Sequence, residues 1–192
     1  PIYFYAVLSN GSEAGDRQAF FLIGTFMAAW TVLYGVVQSM APRILGKAKS
    51  LSNTGLIAQA RHWTAALILI PATLAALVWI TPNPSITLTS AIVFGLLIFG
   101  AIFAVTSSLH SYLILSFTDA KRVTMDVGFY YMANAAGRLA GTVLSGTMYQ
   151  LGGLALCLAT AAIMIGLSWC AATQLQAPAQ VPSTLGQMTP GD

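Results

Sequence analysis

GFYYMANAAGRLAGTVLSG, residues 128–146, is an apolar run interrupted by one permanent cation, Arg138. The nearest acid, Asp126, lies outside the run. A charge at the centre of a lipid-spanning helix costs about 2.5–3.5 kcal/mol on insertion scales, so it must face water or a partner group. The reading of this stretch as membrane helix or soluble core decides the fold, and the rest of the chain settles which.

Of 192 residues, 57% are hydrophobic and 7% charged, against about 25% charged in ordinary soluble domains. The apolar residues fall in long blocks and are not patterned against charged faces, which points to lipid as the solvent. Five blocks are long enough to cross a hydrocarbon layer of roughly 30 Å. They cover 18–41, 63–80, 87–115, 124–148 and 153–173, and a partial block at 1–8 precedes them. PIYFYAVL opens inside an apolar run without the marks of a signal peptide, and it is read as the end of a helix that began earlier. The expected class is an all-α membrane protein with five full transmembrane helices plus the end of another. Residues 1–174 form the bundle, and the proline-rich, polar stretch 175–192 is expected to be a disordered tail.

Arg43, Lys47, Lys49, Arg61, Lys121 and Arg122 fall in one set of alternate loops and Arg17 in the other. The positive-inside rule places the first set, and with it the C-terminus, in the cytoplasm. The formal net charge is only +3 and the basic residues make no patch, so no nucleic-acid partner is expected. Cys157 and Cys170 lie too far apart along one helix to bridge and are read as small packing residues. Pro71 is expected to kink its helix.

On a helical wheel, residues 124–148 separate into two faces. Tyr130, Tyr131, Asn134, Arg138, Gly141, Thr142, Ser145 and Tyr149 share one arc; Met125, Phe129, Met132, Ala136, Leu139 and Val143 share the opposite one. Guanidinium is a fork of donors matched to phosphate or carboxylate, so Arg138 suits an anionic substrate or, alternatively, a structural acid elsewhere. Gly137, Gly141 and Ser145 recur every fourth residue and are expected to pack against a neighbouring helix. In FAVTSSLHSYLI, Ser107 and Ser111 share a face, and His110 stands to one side with Phe103 and Ile114. His110 fits proton coupling, ligand contact or an interhelical hydrogen bond, because histidine titrates near neutrality. Trp30, Tyr34 and Gln38 form an i, i+4 stripe that suits packing, with Gln38 placed where it could line a cytoplasmic entrance.

The stretches SSLHSYLI, DVGFYYMANAAGRLAGTVLSG and YGVVQSMAPR resemble the C-terminal half of the ArsJ family of organoarsenical efflux transporters in the major facilitator superfamily. The resemblance covers the chain apart from its loops and tail, and the run from Asp126 to Gly146 is its most specific part. It implies the C-terminal six-helix half of a major facilitator superfamily fold, partnered by a missing N-terminal six-helix half in a bacterial inner membrane. It implies export of 1-arseno-3-phosphoglycerate, the ester made when glyceraldehyde-3-phosphate dehydrogenase uses arsenate for phosphate, and hence arsenate resistance by antiport. The substrate-binding residues would be Arg138, Asn134, Tyr130, Tyr131, His110, Ser107 and Ser108. Another small anionic metabolite or drug is the alternative cargo.

A pentavalent oxyanion ester calls for hydrogen-bond donors, whereas trivalent arsenic would call for thiolates. One arginine does not balance such a ligand, so the N-terminal half is expected to add cations. The sequence carries no HExxH, nucleophile-elbow or Walker motif, so neither enzymatic chemistry nor a cofactor or metal is expected.

Overall fold

In the computed structural model, residues 2–44, 53–81, 83–118 and 122–174 are described. They form five helices, α1 (Ile2–Leu8), α2 (Glu13–Ile44), α3 (Asn53–Ile80), α4 (Ile86–Phe117) and α5 (Val123–Thr173). The expected tail, 175–192, lies outside the described residues, as do Lys47, Lys49 and Lys121.

Four of the helices are long and apolar enough to cross a membrane. Their outer faces carry large apolar side chains, with Phe20 70% and Trp79 77% exposed. In lipid such faces need no cover, because hydrocarbon is as apolar as the side chains themselves. The chain is therefore a multi-pass helical membrane protein.

α5 contains 51 residues, which would span about 77 Å if straight. It does not run straight, because Gly152 and Gly153 leave helical geometry. Gly153 adopts φ +63° and ψ −156°, a region essentially reserved for glycine. The Ser145 hydroxyl then lies 3.2 Å from the Cys157 thiol, although twelve residues of unbroken helix would separate them by about 18 Å. α5 is thus a hairpin of two membrane-crossing arms, 123–151 and 154–173. With α2, α3 and α4 these arms make the five expected crossings.

Polar residues begin the helices as their chemistry requires. The Ser12 hydroxyl accepts from Gly15 N at 3.1 Å, and Glu13 and Asp16 stand in the first turn of α2, where negative charge complements the helix dipole. Ser85 caps α4 by accepting from Leu88 N at 3.1 Å. α3 begins ten residues before the apolar block that announced it, because Leu56, Ile57 and Ala60 are buried against Leu109 and Leu113 of α4, with Trp63 alongside. The helix then continues through Pro71.

α3 is central, packing on α4 along one side and on the α5 hairpin along the other; α2 covers the far side of α4, and α1 lies on α2. In the α2–α4 seam, Trp30 and Tyr34 of the stripe pack against α4. Trp30 Nε1 donates to the Leu96 carbonyl at 3.0 Å, and its ring stacks on Tyr34 at 5.9 Å. Tyr34 in turn meets Phe103 of α4 at 5.9 Å. Gly100 makes this possible: a Cβ there would sit 2.7 Å from Trp30 Nε1.

Candidate functional site

Between α3, α4 and the α5 hairpin lies a cleft of about 360 Å³. α4 contributes Phe103, Thr106, Ser107 and His110, and α3 contributes Thr64 and Leu67. The first arm of α5 adds Tyr130 and Asn134, and the second adds Met164, Ile165 and Ser168. None of these lining residues carries a permanent charge. The cleft is therefore an open cluster of neutral hydrogen-bonding groups flanked by apolar helix surfaces.

Most hydroxyls on these helices bond back to their own backbone, which keeps a polar side chain satisfied in lipid. Thr106 Oγ1 donates to the Ile102 carbonyl at 2.9 Å, and Ser111 Oγ donates to the Ser107 carbonyl at 3.0 Å. Thr64 is different. It is 3% exposed, and its Oγ1 has no hydrogen-bond partner among the described residues. A buried hydroxyl left unpaired costs about 1–3 kcal/mol.

His110 Nδ1 lies 2.8 Å from the Thr106 carbonyl one turn earlier. A carbonyl only accepts, so Nδ1 is the protonated nitrogen and Nε2 carries the lone pair in the neutral ring. Tyr130 hangs from the opposite wall, its hydroxyl 3.1 Å from Ser111 Oγ and its ring 5.6 Å from that of Tyr131.

Of the seven residues expected to bind substrate, Ser107, His110, Tyr130 and Asn134 come together in this cleft. Ser108 is half-buried and does not line it. Tyr131 points outward at 66% exposure. Arg138 is exposed, one helical turn beyond Asn134 on the same arm, and no acid pairs with it among the described residues. Its carbonyl accepts from Thr142 Oγ1 at 2.9 Å.

The small-residue edge at Gly137 and Gly141 meets nothing within 4 Å among the described residues, and Ser145 finds Cys157 across the hairpin. One local expectation needs correction. Arg61, expected as a loop cation, belongs to α3 and donates to the Ala172 and Thr173 carbonyls at the end of α5. The physical reason is that the last carbonyls of a helix lack intrahelical donors and attract a cation.

Thr64, Thr106 and Ser168 line the cleft without having stood out in the sequence. Thr64 and Ser168 are isolated hydroxyls in apolar runs, TAALILI and IGLSWC, the same signal that drew attention to Ser107. No protein-family model matches the chain, and neither a curated protein nor a solved structure does.

Proposed function

We propose that this chain is the C-terminal half-bundle of a major facilitator exporter that moves an anionic organoarsenical, 1-arseno-3-phosphoglycerate, out of the cytoplasm by alternating access. The observation that carries this reading is the position of Arg138. It stands near the middle of a membrane-crossing arm, one turn beyond the polar cleft, on a stretch that no other described helix covers. An arginine at that depth needs water, an anion or a partner helix. An anionic substrate held between two half-bundles would supply all of these in turn.

The cleft supports the same reading. Tyr130, Asn134, Ser107 and His110 offer donors and acceptors to the sugar-acid part of a phosphorylated ester, while Arg138 would take its phosphate or arsenate oxygens in a bidentate fork. The chemistry at Arg138 is selective for oxyanions in general, so another small anionic metabolite is the second cargo. The cytoplasmic C-terminus and the bacterial inner membrane belong to this proposal, and the basic residues Arg43, Arg61 and Arg122 support that orientation.

The test is arsenate resistance in cells that express the complete transporter with glyceraldehyde-3-phosphate dehydrogenase. Arg138→Ala is expected to abolish resistance at equal expression and Arg138→Lys to weaken it, because lysine keeps the charge but loses the fork. Undiminished resistance in the alanine variant would remove Arg138 from the substrate site. Resistance that persists without the dehydrogenase would point to a different cargo.

A further inference from the structure

We infer that His110 is the proton-binding group of this half-bundle: Nε2 takes up one proton from one side of the membrane and returns it to the other in each transport cycle. The inference rests on the transport reading above and adds its coupling ion.

Two observations carry it. First, the Nδ1 position is already occupied, since the ring donates to the Thr106 carbonyl at 2.8 Å. That bond fixes the ring orientation and leaves Nε2 as a free acceptor, while the imidazolium would keep the same Nδ1 bond and lose nothing on protonation. Second, His110 lines a cleft whose volume of about 360 Å³ admits several waters, each occupying about 30 Å³ in the liquid.

The electrostatic surroundings leave the proton to His110. α3 faces the cleft with Thr64 and Leu67, and the second arm of α5 with Met164, Ile165 and Ser168. Tyr130 of the first arm is the other titratable group at the cleft; α2 brings Tyr34 against Phe103, outside the lining. His62 of α3 is exposed and does not line the cleft. With no carboxylate or permanent cation among the lining residues, a charge placed there by protonation has no fixed counter-ion, and a substrate that fills the same cleft displaces the water that reaches Nε2. Proton and substrate then compete, so each lowers the occupancy of the other. The proton balance is simple: one proton bound at Nε2 from the outer side is released inside, and the substrate leaves in the opposite direction.

Two measurements on the complete protein test this. In the first, histidine-selective ¹⁵N labelling follows the ring without any substrate, with His110→Gln assigning the signal. The expected result is a neutral ring protonated at Nδ1 that gains a proton at Nε2 as the pH is lowered. A ring protonated at Nε2 when neutral, or one that stays neutral throughout, overturns the inference. In the second, inverted vesicles supplied with the dehydrogenase, glyceraldehyde 3-phosphate, NAD and radiolabelled arsenate are assayed with an acid-inside gradient and with the gradient collapsed. Wild-type uptake should rise with the gradient, and His110→Gln and His110→Asn should lose that rise. Full stimulation in either variant, or no stimulation in the wild type, overturns the coupling role. If wild-type vesicles accumulate no arsenic under either condition, the transport reading fails, and the ring titration still decides whether His110 is a proton site.

Discussion

Arg61 Nε donates to the carbonyl of Ala172 at 3.0 Å, joining positions 111 residues apart in sequence. Its Nη2 reaches the Thr173 carbonyl at 2.6 Å as well, so the fork of one guanidinium closes the C-terminal end of α5 against the beginning of α3. Two charge-assisted bonds to carbonyls of the last helical turn contribute about 1–2 kcal/mol net at this half-buried position. Arg61→Met is expected to lower the melting temperature of the purified protein in detergent by an amount corresponding to that loss, and Arg61→Lys by less. A methionine variant that melts with the wild type would contradict the capping role.

Gly153 holds the turn of the α5 hairpin at a φ of +63°, and a Cβ added there would meet nothing within 4 Å among the described residues. Any cost of Gly153→Ala therefore comes from the backbone, at about 1–3 kcal/mol. Gly166 has equally open surroundings and no positive φ, so Gly166→Ala should change stability by no more than about 0.5 kcal/mol. Chemical unfolding of the two variants in matched micelles checks the contrast.

Gly100 gives the indole of Trp30 its place against α4. A Cβ at 2.7 Å from Nε1 and 2.9 Å from Cε2 would displace the ring and its bond to Leu96, so Gly100→Ala is expected to cost about 1–3 kcal/mol through overpacking. In a Trp30→Leu background the same change should cost less. The double-mutant cycle reads this coupling directly, and additive effects would refute it.

Tyr130 and Ser111 join α5 to α4 through hydroxyls 3.1 Å apart. Interhelical hydrogen bonds of this kind in a membrane contribute about 0.6 kcal/mol. Tyr130→Phe and Ser111→Ala should each destabilise by about that amount, and the double variant by little more than either. Ser111 keeps its own bond to the Ser107 carbonyl, which holds the loss small.

Arg138 is exposed and has no acidic partner among the described residues. Its replacement by alanine should leave the stability of this half-bundle within about 0.5 kcal/mol of the wild type, while transport is lost. A large drop in stability in the complete protein would instead identify Arg138 as one side of a structural ion pair with the other half. Thermal melting and arsenate resistance measured on the same variant separate the two.

Much of this architecture was legible in the residues alone. The five crossings follow from hydropathy because lipid forces every segment to satisfy its own backbone, and a helix of about 20 apolar residues is the local solution. The hairpin at Gly152–Gly153 was visible as YQLGG between two apolar blocks. The beginning of α3 was not. Residues 53–62, NTGLIAQARH, look like a polar loop and become helix because Leu56, Ile57 and Ala60 find Leu109 and Leu113 across the interface.

By itself the sequence determined that this is a helical membrane protein, how many times its chain crosses, and that Arg138, Tyr130 and Asn134 rise along one side of one helix. Those are properties of composition and of a 3.6-residue period, and neither depends on a neighbour. Only the tertiary structure decided which polar groups meet. α3 lies between α4 and the α5 hairpin, so Thr64 and Ser168 join Ser107, His110, Tyr130 and Asn134, while Ser108 and Tyr131 are left out of the cleft. Lipid-facing helices carry no charged outer face to reveal which side turns inward, so helix-to-helix packing alone selects the residues that share the cleft.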